Sequence, residues 1–256
     1  MGYLVETLLF AVALLVCMLL LLEVGRRIGR RRMQSDAEGA RAGVGAVDGA
    51  VFALLGLLIA FTFSGAAARF DTRRHLIVDE ANAIGTAYLR LDMLPEKDQP
   101  ALREKFRQYV DARLLVYRKL PDMAAARAEL AAATKLQGEI WKDAVAACRA
   151  DSRLTMLLLP ALNAVIDIAT TRTMATQLHP PNVVFGMLAG LALASSLLAG
   201  YGMAATQTRS WIHMAAFAVV MALAVYVILD MEFPRFGLIR VDAFDQALID
   251  VRTSMQ

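Results

Sequence analysis

Residues 47–90 read VDGAVFALLGLLIAFTFSGAAARFDTRRHLIVDEANAIGTAYLR, and this stretch decides the architecture. From Phe52 to Phe63 it carries no charge and no proline. Arg69, Asp71, Arg73 and Arg74 then arrive together, while Phe70, Ile77, Ala81, Ile84 and Tyr88 keep an apolar stripe at helical spacing. No turn residue separates the two halves. The stretch predicts one long helix that crosses a bilayer and continues into water, joining a membrane part to a helical lobe.

Working outward, Tyr3 to Leu22 holds one charge, Glu6, and is otherwise apolar over the ~20 residues a bilayer requires. Basic residues follow this run instead of preceding it, and no small-residue cleavage site is evident before Arg26, so it reads as an anchor and not a signal peptide. Two more apolar runs, 183–204 and 212–229, flank the short segment Thr206–Ser210. The expected fold class is therefore all-α: an integral membrane protein with four transmembrane helices in two hairpins and an all-helical lobe between the second and third. The expected parts are 1–68, a first hairpin with an Arg-rich loop; 69–180, the lobe; 181–231, the second hairpin; and 232–256, a C-terminal tail.

The lobe is rich in Ala, Arg and Glu, and proline punctuates it. Pro95 and Pro100 end one helix and open the next, which carries Leu102, Phe106, Tyr109, Val110, Leu114 and Val116 on one face. Pro121 separates that helix from 123–149, and 154–177 makes another, with Pro160 in its first turns. No alternating run is long enough for a strand. Small residues at three- or four-residue spacing, Gly186/Gly190/Ala194 and Gly49/Ala53/Gly56/Ala60, are where spans are expected to touch. Asp48 reads as a cap for the second span.

Charge and chemistry exclude more than they assign. The net charge of +3 is local: Arg26, Arg27, Arg30, Arg31, Arg32 and Arg41 lie between the first two apolar runs, a pattern of membrane topology and anionic lipid, not of nucleic acid. Cys17 and Cys148 form no metal motif, and His75, His179 and His213 are scattered. No nucleophile motif, P-loop or dinucleotide turn is present, so neither an enzyme nor a cofactor or metal is expected. One polar set is worth naming. Asn163 and Asp167 share a helix face, with Arg172 little more than a turn on and His179 beyond; Glu80, Asp79 and Asn82 are plausible partners for Arg172. Such a set is either an ion path or a satisfied interhelical network.

These residues carry a resemblance. LLGLLIAFTFSGAAARFDTRRHLIVDEANA is similar to the second transmembrane segment of bacterial bestrophin homologues, with Ala66, Arg69, Phe70, Arg74 and Asn82 in matching places. EANAIGTAYLR at 80–90, YVDARL at 109–114, PALNAVID at 160–167 and ILDMEFPRFGLIRVD at 228–242 resemble a bacterial bestrophin-like family. Bestrophins are pentameric anion channels whose second helices surround the pore, so the resemblance implies a homo-oligomer passing inorganic anions such as chloride across a bacterial inner membrane. It also implies a neck at Ala53, Leu57 and Phe61, although Ala53 is small and Asp71 replaces an aromatic. Four-residue spacing puts the three on one helix face, where an apolar ring can gate by dewetting. Arg69, Arg73 and Arg74 would form a basic mouth that concentrates anions. The competing reading is a non-conducting scaffold or sensor that uses the lobe to bind partners. The resemblance implies a cytoplasmic lobe, but the arginines of the first loop and Arg209 of the second place both short loops inside. The lobe and both termini are accordingly expected outside.

Overall fold

A computed structural model describes residues 2–35, 44–149, 151–205 and 210–255. The helices are α1 (Gly2–Ser35), α2 (Val44–Leu89), α3 (Gln99–Arg118), α4 (Met123–Cys148), α5 (Ser152–Ala175), α6 (Asn182–Gly202), α7 (Trp211–Glu232) and α8 (Gln246–Ser254). No strand occurs among the described residues. The uninterrupted α2 bears out the reading of residues 47–90 as one helix. It extends the N-terminal side to Val44, so Asp48 sits inside the helix and does not cap it. Arg41 and Arg209 lie outside the described residues.

Among the described residues, five helices and not four are long and apolar enough to cross a membrane. The addition is α5, which the sequence reading counts among the helices of the lobe. Length and hydropathy alone do not separate a buried helix from a span.

The chain forms two compact units. One comprises Met1–Ala68 and His179–Phe233. Its core joins Leu14, Met18 and Leu22 of α1 to Leu55 and Ala66 of α2, Leu188 and Ala192 of α6, and Met214, Ala218, Val225 and Ile228 of α7. The outward faces are apolar too: Leu9, Leu20, Leu57, Phe61, Val220 and Leu223 are all exposed. A surface of this kind matches a hydrocarbon solvent.

Helices α1 and α6 approach most closely through glycines other than the expected ones. A Cβ at Gly25 would sit 2.0 Å from the Leu197 carbonyl oxygen, and one at Gly200 would sit 2.0 Å from that of Leu22. Gly29 faces Ala204 in the same way. Gly49, Gly56, Gly186 and Gly190 meet nothing within 4 Å. Four-residue spacing marks a face that permits close approach, but only packing decides which face is used.

The other unit comprises Arg69–Leu178 and Pro234–Gln256. Ile84, Tyr88, Leu102, Phe106, Tyr109, Ile140, Leu158, Leu162 and Leu248 build its core. Asp122 opens α4 by accepting from the Ala124 and Ala125 amides at 3.0 Å, and Asp151 opens α5 from the Arg153 amide at 2.8 Å. Residues after Pro234, read from sequence as a tail, fold onto this unit. Leu248 and Met255 are buried, and Arg252 makes a two-pronged pair with Asp111 at 2.8 and 3.0 Å.

Candidate functional site

Within the first unit, α2 presents two different faces. Leu55 is buried, and Leu58 and Ile59 pack against the same core. A turn away in angle, Ala53, Leu57 and Phe61 are exposed, Leu57 by 52% and Phe61 by 67%. Gly49, Gly56, Ala60 and Ser64 extend this open face along the helix. The three neck candidates are thus on one side of α2, and among the described residues of their own unit none buries that side.

Within the second unit, the three arginines of the expected mouth go to different environments. Arg69 is half-buried. Arg73 is buried: its Nε donates to the Ala175 carbonyl at 3.1 Å and its guanidinium to that of Leu178 at 3.0 Å. It therefore satisfies carbonyls at the end of α5, where the helix dipole favours a cation. Arg74 pairs with Asp71 one turn back and lies 5.2 and 5.1 Å from the ring centres of Phe70 and Phe244.

Six charged groups converge in this unit. Glu80 is fully buried, with Arg113 Nε at 2.6 Å from one oxygen and a terminal Arg113 nitrogen at 3.1 Å from the other, which Arg172 also reaches. Arg172 continues to Asp245 at 3.1 Å, and Asp245 takes both terminal nitrogens of Arg235 at 2.7 and 2.8 Å. Arg235 also reaches Asp242 at 2.9 Å. Tyr117 stands among them. Its ring centre is 4.0 Å from the Arg172 guanidinium and 4.2 Å from that of Arg235, and its hydroxyl accepts from Arg113 at 3.2 Å. Burial opposes ionisation of Glu80, but Arg113 and Arg172 outweigh it and hold the carboxyl below its ordinary value. Three arginines against three acids leave the cluster neutral.

Of the expected polar set, Glu80 and Arg172 meet here. Asn82, Asn163 and Asp167 are exposed and stand apart from the cluster, and His179 lies in the other unit beside Glu232 at 3.4 Å. Arg113, Tyr117 and Asp245 escaped the sequence reading, and Arg235 and Asp242 entered it only as an acid–arginine pairing within the turn 230–242, not as part of this cluster. A signal did exist for three of them: Arg113 falls in YVDARL, and Arg235 and Asp242 fall in ILDMEFPRFGLIRVD. Every acid of the cluster is committed to a guanidinium, so it offers neither a general base nor a nucleophile. Its chemistry is to fix α2, α3, α5 and the C-terminal segment to one another.

A bestrophin-like domain model matches residues 10–243. This chain belongs to the bestrophin-like family. No curated protein matches it. Two solved structures of a bacterial bestrophin homologue from Klebsiella pneumoniae do. One carries a tyrosine-to-alanine substitution (TM-score 0.62, 14% identity, 92% of this chain and 98% of that one). The other carries a tryptophan-to-alanine substitution (TM-score 0.65, 13% identity, 95% and 98%). At such identities the likeness is one of fold. For this bestrophin-like chain it shows the all-helical fold and leaves the residues of α2 to be argued on their own geometry.

Proposed function

We propose that this bestrophin-like protein is an oligomeric channel for small inorganic anions of the chloride type, with α2 lining the pore. The observation that carries the reading is the open apolar face of α2. Ala53, Leu57 and Phe61 sit on it one turn apart, and its opposite side is packed. Family membership supports a closed ring of copies, a pentamer by resemblance, in which that face turns to the axis and closes by dewetting. Arg69 and Arg74 supply the basic mouth, while Arg73 is given over to α5.

On this reading the protein sits in a bacterial inner membrane, spanned by α1, α6, α7 and the first part of α2. Helix α5 stays with the lobe, because Arg172 on it is buried in the ionic cluster beside α3 and α8. The arginines closing α1 favour an extracytoplasmic lobe and termini. A non-conducting scaffold or sensor is the second reading, favoured by the inward turn of Arg73, which leaves less charge for a mouth.

Flux of chloride from vesicles containing the purified protein tests the channel. Leu57→Ala and Phe61→Ala widen the neck and raise flux, whereas Leu58→Ala, on the packed side, leaves the open-pore flux unchanged. Arg69→Glu lowers the preference for anions over potassium. Unaltered flux from Leu57→Ala and Phe61→Ala proteins that still assemble removes the pore assignment, and a monomeric mass with no flux favours the scaffold.

A further inference from the structure

The end of α1 carries charge that neither the core nor the channel reading uses. Between residues 23 and 32 stand five arginines and one acid, Glu23, a balance of +4. Glu23 takes Arg26 Nε at 3.2 Å and Arg27 Nε at 2.9 Å, and Arg26 is buried. Arg27 nonetheless keeps 71% of its side chain in the open, and Arg31 and Arg32 are exposed. The inward face of this segment is filled, since Gly25 and Gly29 lie against α6.

The outward face combines two chemistries at helical spacing. Leu20, Val24 and Ile28 are exposed by 61, 43 and 50%, and Arg27 and Arg31 share their side of the helix. Arg27 and Arg31 are one turn apart, about 6 Å along the axis, a span that two guanidiniums can close around a phosphate. An acidic protein or a nucleic acid would satisfy the arginines and leave the exposed aliphatic side chains uncovered. An amphiphile satisfies both.

We propose that this face of α1 binds an anionic phospholipid, with Arg27 and Arg31 on the headgroup phosphate and Leu20, Val24 and Ile28 along the acyl chain. Helix α1 is thereby anchored at the depth where its arginines meet the headgroups, independently of whether α2 conducts. Attraction to an anionic headgroup at these two positions amounts to about a thirtyfold gain in affinity.

The test is lipid titration of the full-length protein in neutral detergent, read by native mass spectrometry. Phosphatidylglycerol is expected to bind at least about tenfold more tightly than phosphatidylcholine. Arg27→Gln/Arg31→Gln weakens phosphatidylglycerol binding about thirtyfold and weakens that of phosphatidylcholine, whose phosphate is offset by its own choline, much less, while Lys135→Gln, an exposed lysine of α4, changes neither. Equal binding of the two lipids overturns the proposal, as does full phosphatidylglycerol affinity in the double variant. Inorganic phosphate competing as well as the lipid overturns it too, because a free-anion site needs no aliphatic face. Should the double variant fail to fold, the wild type decides alone: raising salt from about 0.1 to about 0.5 M must weaken phosphatidylglycerol binding, and salt-insensitive binding overturns the assignment.

Discussion

Replacing Glu80 by glutamine removes the acid on which two buried arginines depend while keeping the side chain's shape. Arg113 is 1% and Arg172 4% exposed at the side chain, so water cannot replace the lost charge. Asp245 still pairs with Arg172, but Arg113 keeps only the neutral amide and the Tyr117 hydroxyl. Removing one partner of a buried pair costs about 3–5 kcal/mol, and the isosteric amide belongs at the low end, about 3 kcal/mol. At about 2–4 °C per kcal/mol, Tm falls by about 6–12 °C. In a Trp211→Phe background, fluorescence of Trp141, packed against the core of the Arg69–Leu178 unit, reports the unfolding of that unit in detergent. The pH dependence gives a second reading. Because the folded carboxyl lies below its ordinary value of 4.5, its contribution is complete above that value and is lost as pH falls through the folded one. The wild type and the Glu80→Gln protein therefore differ fully at neutral pH and converge in acid. A Tm change under about 2 °C, or a difference that persists undiminished in acid, refutes the role assigned to Glu80.

Three further outcomes follow from the packing. Gly200→Ala places a methyl group against the Leu22 carbonyl and lowers stability by about 1–3 kcal/mol, whereas Gly190→Ala, facing open space, stays within about 0.5 kcal/mol; equal melting temperatures for the two would show that α1 and α6 do not meet there. Arg73→Gln removes two charged hydrogen bonds from the end of α5, each worth about 1.5–3 kcal/mol, and speeds amide exchange around Met174–Leu178 without affecting the start of that helix. Asp122→Ala costs about 1 kcal/mol through the lost cap of α4 and Asp122→Asn restores most of it; an asparagine variant as unstable as the alanine one would exclude capping as the cause.

Some of the site was readable because it depends on local pattern. Helical period places Ala53, Leu57 and Phe61, the neck that the resemblance implies, on one face whatever surrounds it, and Glu80 could be named beside Asp79 and Asn82 as a partner for Arg172 because all are polar positions on neighbouring helices of the chain. Arg73 was not readable in this way. It looks in sequence like Arg69 and Arg74, and only the C-terminal end of α5, a hundred residues further on, turns it inward. The glycines make the same point. GxxxG-like pairs abound in an Ala- and Gly-rich chain, and which pair meets a partner depends on helix rotation.

From sequence alone came the helical class, the long α2 and the apolar anchors, because each follows from period, length and the cost of placing charge or unpaired backbone in hydrocarbon. Tertiary structure alone decided that Pro234–Gln256 returns to the Arg69–Leu178 unit, and that Arg113, Arg172 and Arg235 gather around Tyr117. It also decided that α1 meets α6 through Gly25, Gly29 and Gly200. Those outcomes rest on contacts between residues far apart in the chain. Their charges and small side chains fit several surfaces equally well until burial leaves each guanidinium only the carboxylates and carbonyls that packing has brought within reach.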